Sequence, residues 1–258
     1  MNTILFTKNK KIATITLNLP QQLNAMNHHM AADFKATIRK IKKDACVRVV
    51  IITGAGRAFS SGGNLDMLAS RFKKRLSQNT VELKKFYNDF FSIRDLPQPV
   101  IAAINGPAVG AGLCLALACD LRYAGAEAMF CINFARMGLA PGMGTTSLLT
   151  RLMGPTQAAE ALFRAQTMTA QEAHTKGLVN NVFKQTQLMN KVEKIAQEIA
   201  SHSPLALQYI KQGLYKSQQK SLHHMFAFDA LAQAQCFISN DIKEGIKAIR
   251  ENRRPVFA

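Results

Sequence analysis

The sequence predicts an α/β fold, because segments with the pattern of buried strands alternate with segments of helical periodicity. β-Branched and polar residues alternate over residues 11–18, and Pro20 ends this strand. Asn27 stands where a helix N-cap belongs, and apolar residues recur at helical spacing through residue 43. Residues 47–53 are predominantly apolar and β-branched, as in a strand that is buried on both faces. These segments predict a β–α–β unit near the start of the chain.

A second strand and turn follow the same pattern further along the chain. We expect a buried strand over residues 99–104, and the small residues 108–118 behind its turn have the length and composition of a helix. From Pro204 onward nearly every segment is amphipathic and helical. We therefore predict an α/β core over residues 1–201 and a helical carboxy-terminal region over residues 202–258.

The composition is typical of a globular protein. With 258 residues, of which 48% are hydrophobic and 19% charged, the chain can bury a substantial core. No apolar run approaches the roughly 20 residues needed to span a bilayer. Residues 1–11 lack the apolar stretch of a secretory signal. We therefore expect a cytoplasmic protein without a membrane segment.

The five cysteines form no CxxC pair and have no histidine at metal-ligand spacing, so neither a disulfide framework nor a metal site is expected. The formal net charge of +17 raises the question of an anionic partner. However, the basic residues are spread over helical segments with few aromatic residues between them, and no known nucleic-acid-binding motif is present. Solvated helix faces are the simpler interpretation, and nucleic-acid binding is not predicted.

Two glycine-rich turns between a strand and a helix carry the strongest chemical signal. They span residues 54–63 and residues 105–112. Glycine lets the backbone approach a ligand closely, and free N–H groups at a helix start favour negative charge. Neither turn precedes GK[ST] or has GxGxxG spacing, which argues against a nucleotide triphosphatase or a dinucleotide enzyme. Each turn alone is explained by close packing of a helix on a sheet, but two that converge could hold an oxyanion.

Several segments resemble the crotonase (enoyl-CoA hydratase/isomerase) superfamily in order and spacing. They are residues 17–27, 53–65, 99–120, 138–144, 244–245 and 253–257. The resemblance implies a crotonase-like spiral of β–β–α units, with a carboxy-terminal helical region that serves for trimerisation. It also implies an acyl-CoA thioester as substrate, no further cofactor, and a homotrimer or a dimer of trimers.

The same resemblance assigns roles to individual residues. The backbone N–H groups of Gly63 and Ala111 would form an oxyanion hole for the thioester oxygen. Because the donor is the backbone, alanine in place of the more usual glycine at position 111 should keep it. Coenzyme A would lie along two short segments, with contacts from Gln22, Leu23, Ala25, Ser61, Gly62, Asn64 and Leu65.

The sequence departs from the family pattern at the acid/base positions. The two glutamates that activate water in a hydratase fall on Cys114 and Phe134, and an aspartate carried by some relatives falls on Gly142. Cys114 is more simply a buried small residue than a nucleophile. Phe134 is more simply one wall of an acyl pocket. Its expected companions there are Met67, Leu68, Met137 and Met143.

These departures leave three readings of the function open. The first is an acyl-CoA lyase or isomerase that stabilises a thioester enolate and uses an unorthodox acid/base group. The second is an acyl-CoA decarboxylase, because loss of carbon dioxide creates the enolate without a protein base. The third is an acyl-CoA-binding protein without turnover. Polar residues considered as replacements for the carboxylates are Asp66, Asn133, Arg136, Thr145 and Thr146.

Overall fold

The computed structural model of the protein describes residues 2–218 and 222–257. Its strands are β1 (Ile4–Asn9), β2 (Ile12–Leu17), β3 (Val49–Gly54), β4 (Val100–Ile104), β5 (Ala108–Val109), β6 (Leu121–Gly125), β7 (Met129–Cys131), β8 (Thr167–Thr169) and β9 (Asn181–Phe183). Its α-helices are α1 (His28–Lys42), α2 (Leu65–Ala69), α3 (Leu76–Phe91), α4 (Ala111–Leu117), α5 (Thr145–Arg164), α6 (Ala170–Thr175), α7 (Leu188–Ala200), α8 (Pro204–Ser217), α9 (Leu222–Phe237) and α10 (Asn240–Arg250).

The main sheet has six strands in the order β1-β2-β3-β4-β6-β9. β1 is antiparallel to β2, and every later neighbour in the sheet is parallel. The carboxyl ends of β3 and β4 therefore meet at one edge, where the chain enters the two glycine-rich turns. A smaller sheet has the order β5-β7-β8. The predicted α/β class is confirmed.

The first helix forms as its sequence predicts. The Asn27 side chain accepts a hydrogen bond of 2.8 Å from the Met30 N–H and caps α1. The apolar stripe of the helix is buried, and Phe34 within it packs against Phe90 of α3 with ring centroids 5.3 Å apart. α1 thus packs on the main sheet at β1 and β2, and α3 packs on α1.

The helix predicted over residues 108–118 is shorter than expected, and this part of the prediction is wrong. Ala108 and Val109 form β5, because they pair with Phe130 and Cys131 of β7, and the Val109 N–H also donates to the Ser60 carbonyl at 2.9 Å. The Gly110 N–H donates to the Cys131 carbonyl at 2.9 Å, and its φ of 48° is not helical. The helix begins only at Ala111, so tertiary pairing overrides the local composition.

The first carboxy-terminal helix is fixed to the core by buried polar contacts. Lys211 of α8 donates to the Gln98 carbonyl and forms an ion pair with Asp120, each at 2.8 Å. The predicted boundary near residue 201 falls in the short connection between α7 and α8, and the division into two regions stays a prediction. In the part of the chain that the structure describes, no helix is long and apolar enough to cross a bilayer.

Candidate active site

The two glycine-rich turns lie against each other. The Ser60 N–H donates to the Pro107 carbonyl at 3.1 Å, next to the bond from Val109 to the Ser60 carbonyl. On its other side the first turn pairs with Met26, whose N–H donates to the Gly62 carbonyl at 2.6 Å. The backbone at residues 60–64 is therefore held between two other segments of the chain.

Gly62 is one of the glycines at which the two turns approach closely. Its φ is 92°, and a β-carbon added there would lie 2.6 Å from the Val109 carbonyl oxygen and 3.3 Å from the Ala111 nitrogen. No side chain fits in this space, and the backbone conformation itself disfavours one. The sequence places glycine where the two turns touch.

This contact brings together two peptide N–H groups that have no acceptor. Within residues 2–218 and 222–257, neither the Gly63 N–H nor the Ala111 N–H donates to another residue. The pairing with Met26 uses the Gly62 carbonyl and the Asn64 N–H, at 2.6 and 2.9 Å, so the Gly63 N–H faces away from that partner. Ala111 is the first residue of α4, where the helix leaves N–H groups unpaired. Both residues line the same cavity.

The cavity has a volume of about 950 Å³, which lies within the range of small-molecule and cofactor sites. It contains most of the residues predicted to bind ligand. Those that line it are Gln22, Ala25, Ser61, Gly62, Gly63, Asn64, Leu65, Met67, Leu68, Ala111, Phe134, Met137 and Met143.

Leu23 and Cys114 are not among the lining residues. Leu23 instead supports the first turn, because its carbonyl accepts the Ser61 N–H at 2.9 Å. Cys114 lies inside α4, fully buried, with its sulfur 3.1 Å from the Gly110 carbonyl oxygen and 2.7 Å from Oγ1 of Thr145. Burial raises the pKa of the Cys114 thiol to about 12. The thiol is therefore neutral and enclosed, as in a structural cysteine.

Few of the polar residues considered as replacements for the missing carboxylates reach the cavity. Asn133 and Asp66 line it, whereas Arg136, Thr145 and Thr146 do not. Asp66 is exposed in the first turn of α2, and it is the only carboxylate among the described lining residues. No group of three metal-ligating side chains occurs in the described ranges.

The sequence analysis missed the contribution of α3 and of the segment before it. Leu83, Phe86 and Tyr87 of α3 line the cavity together with Arg71. Arg71 is buried and forms an ion pair with Glu82 at 3.5 Å. The spacing of four residues between Leu83 and Tyr87 shows that both lie on one helix face. No local pattern shows which surface that face covers.

Comparison with known proteins decides the family. Residues 7–258 match the family model described as enoyl-CoA hydratase/isomerase. The chain belongs to this family. The family's short-chain-enoyl-CoA hydratase from Clostridium acetobutylicum is 36% identical, and the match covers 98% of this chain and 97% of that protein. The 1,2-epoxyphenylacetyl-CoA isomerase of Escherichia coli is 31% identical, with 100% and 98% covered.

A solved structure confirms the crotonase-like fold of this family member. The enoyl-CoA hydratase from Bacillus anthracis superposes with a TM-score of 0.93 at 32% identity, covering 99% of this chain and 98% of that one. The relatives in the family include both hydratases and isomerases. The protein is therefore a member of a family of lyases and isomerases.

Proposed function

We propose that the protein binds an acyl-CoA thioester in the cavity and stabilises its enolate with the N–H groups of Gly63 and Ala111. The observation that carries this proposal is the pair of unsatisfied N–H groups at the contact of the two turns. Peptide donors that are shielded from bulk water normally have acceptors, so this pair of donors on partly buried residues at a cavity wall is suited to an incoming oxygen. Removing one such donor typically costs about 3 kcal/mol of transition-state stabilisation.

Coenzyme A would pass between two backbone segments of the cavity mouth. Gln22 and Ala25 line one side of it, and Ser61, Asn64 and Leu65 line the other. Leu23 would act through its carbonyl bond to Ser61. The acyl group would lie against the apolar side chains of Met67, Leu68, Phe134, Met137 and Met143.

The source of the enolate is a separate question, and decarboxylation is favoured by one observation. A water-adding enzyme of this family uses carboxylates to activate water, but the only carboxylate among the described lining residues is the exposed Asp66. Loss of carbon dioxide from a 2-carboxyacyl thioester breaks the C–C bond and leaves the electron pair as the enolate. This route needs the oxyanion hole and no protein base.

Two substitutions at one position test the oxyanion hole. Gly63→Pro removes the N–H, whereas Gly63→Ala keeps it and places a β-carbon 3.5 Å from Leu68, an ordinary contact. We expect Gly63→Ala to turn over a substrate from a panel of crotonyl, dienoyl, hydroxyacyl and malonyl thioesters. Gly63→Pro should bind coenzyme A but lose turnover by about 100-fold or more. Equal activity of the two folded variants would refute the assignment.

The same panel separates an enzyme from a binding protein. If the wild-type protein binds coenzyme A tightly and converts no thioester, the protein is a non-catalytic acyl-CoA binder. Conversion of the malonyl thioester alone selects the decarboxylase, and conversion of the crotonyl thioester selects a hydratase with an unusual acid/base group.

The carboxy-terminal region over residues 202–258 would assemble the protein into a homotrimer or a dimer of trimers. Support comes from large apolar side chains that α9 and α10 expose, including Phe237 at 66% and Ile249 at 81% exposure. Light scattering after size exclusion tests this. We expect Phe237→Asp with Ile249→Asp to lower the mass, and Phe72→Asp, an equally exposed control elsewhere, to leave it unchanged.

A further inference from the structure

The side chain of Tyr87 places its hydroxyl at the cavity wall. The side chain is half-buried on α3, and its ring packs edge-on against Phe86 at a centroid distance of 6.5 Å. Its hydroxyl has no hydrogen-bond partner among the described residues. A tyrosine hydroxyl at the edge of an apolar cavity normally finds a partner, and here a ligand can supply it.

The hydroxyl of Tyr87 fills space opposite Gly142. A β-carbon added to Gly142 would lie 2.5 Å from Oη of Tyr87 and 3.1 Å from its Cζ. The glycine therefore leaves room for the tyrosine, and an aspartate at position 142 would exclude this position of the hydroxyl. Cys114 lies next to the same place, with its sulfur 3.9 Å from the Gly142 carbonyl oxygen.

The tyrosine is thus found where the family's acid/base positions hold no carboxylate. Cys114 and Gly142 occupy two of those positions; Gly142 adjoins the Tyr87 hydroxyl, and the Cys114 sulfur lies 3.9 Å from the Gly142 carbonyl oxygen. Burial raises the pKa of Tyr87, and the neighbouring Cys114 raises it further, while Arg71 opposes this effect. At neutral pH the group is therefore a protonated phenol, which donates a proton and does not remove one.

Other polar groups near the cavity are less suited to donate a proton. Thr145 already donates to the Gly142 carbonyl at 2.5 Å and contacts Cys114, so its hydroxyl is satisfied and buried. Asp66 is exposed to solvent on α2. Asn133 carries an amide, which does not act as an acid in this pH range.

We propose that the Tyr87 hydroxyl is the proton donor to the α-carbon of the thioester enolate, an inference that rests on the proposed function. The O–H bond of Tyr87 breaks as the Cα–H bond forms, and the enolate electron pair moves to Cα as the carbonyl is restored. The phenolate then takes a proton from water at the cavity mouth. After decarboxylation the hydroxide left behind combines with the released carbon dioxide as hydrogencarbonate, so charge and atoms balance.

Two variants and one control test this role with methylmalonyl-CoA and crotonyl-CoA in deuterium oxide. Tyr87→Phe removes only the hydroxyl, and Gly142→Ala displaces it through the 2.5 Å contact. Tyr123→Phe removes a similarly half-buried hydroxyl that lies outside the cavity lining. The readouts are kcat, the dissociation constant for coenzyme A, and the configuration of the deuterium at Cα by NMR.

We expect kcat to fall about 100-fold or more in Tyr87→Phe and to fall also in Gly142→Ala. Coenzyme A binding should stay unchanged. The wild type should place deuterium on one face of Cα, and Tyr87→Phe should place it on both faces, because solvent then protonates the enolate. Tyr123→Phe should match the wild type in every readout.

The possible failures are distinguishable. Full activity with one-sided deuteration in Tyr87→Phe overturns the role of Tyr87, while Gly63→Pro still tests the oxyanion hole. If Gly63→Pro and Gly63→Ala have equal turnover while Tyr87→Phe has lost turnover, the proposed oxyanion hole is wrong and Tyr87 remains the proposed proton donor. A wild-type protein that converts neither thioester overturns both proposals.

Discussion

The hydroxyl of Tyr215 donates a hydrogen bond of 2.5 Å to Oδ1 of Asp120. Oδ2 of the same carboxylate accepts the Lys211 ammonium and the Val100 N–H, both at 2.8 Å. Tyr215 and Lys211 lie on α8, and Val100 begins β4. One carboxylate therefore joins the first carboxy-terminal helix to β4, one of the two central strands of the main sheet.

We expect this cluster to stabilise the fold measurably. Tyr215→Phe should lower the free energy of unfolding by about 2 kcal/mol, because it removes a hydrogen bond to a charged group. Lys211→Met should lower it by about 3 kcal/mol or more, because it leaves a partly buried carboxylate without its cation. Urea denaturation measures both values. Tyr123→Phe, whose hydroxyl donates to no described residue, should change the free energy by less than about 0.5 kcal/mol. Similar losses in all three variants would contradict this account.

Gly62→Ala should damage the protein far more than Gly63→Ala. The first substitution forces a β-carbon to 2.6 Å from the Val109 carbonyl oxygen at a φ of 92°, whereas the second meets Leu68 at 3.5 Å. Strain at such a backbone conformation costs about 1–3 kcal/mol before the clash is counted. We expect Gly62→Ala to have a lower melting temperature and little activity. A Gly62→Ala variant with the stability of the wild type would show that the two turns are not in firm contact.

Cys114 should behave as an inert core residue. Its thiol is fully buried and its pKa is raised to about 12, so native protein at pH 8 should leave it unmodified by a thiol reagent. The exposed Cys46 is the internal control and should react at once. Mass spectrometry of the labelled peptides measures both sites. Cys114→Ala should retain turnover. Loss of turnover in a folded Cys114→Ala variant would instead support a role for Cys114 as a nucleophile.

Acid should release the carboxy-terminal segment. The Glu244 carboxylate accepts hydrogen bonds from Arg253 at 2.6 Å and from the Val256 N–H at 2.8 Å, which lower its pKa to about 2. A lowered carboxyl pKa adds stability that is complete above the unfolded value of about 4.5 and disappears as pH falls through about 2. Hydrogen exchange of the Val256 amide should therefore rise relative to a helical amide in α7 over this interval. Glu244→Gln should show fast exchange already at neutral pH.

The local parts of this architecture were predictable from the sequence. The Asn27 cap, the apolar stripe of α1 and the buried β3 each follow from side-chain patterns only a few residues long. The two glycine-rich turns were also predictable from the sequence. Gly62 and Gly110 have positive φ in the structure, and glycine is the residue that adopts such a conformation readily. These features depend on the chain's own local conformation.

The position of Tyr87 was not predictable in the same way. Its helix, α3, lies far in sequence from Gly142 and Cys114, and no spacing rule links them. The same holds for β5, where pairing with Cys131 and Ser60 replaces the helix that composition favours. Contacts between segments that are distant in sequence determine both the position of Tyr87 and the conformation of β5. Local patterns in a single sequence do not show which distant segments are in contact.

In the proposed function, peptide groups and not side chains bind the thioester oxygen, so substrate binding and proton transfer can change independently in evolution. A substitution at position 134 or 142 would change the groups that face the cavity, yet would leave the peptide N–H groups of residues 63 and 111 in place. A new reaction can therefore arise on this scaffold by a few substitutions, without first rebuilding the means of holding its substrate.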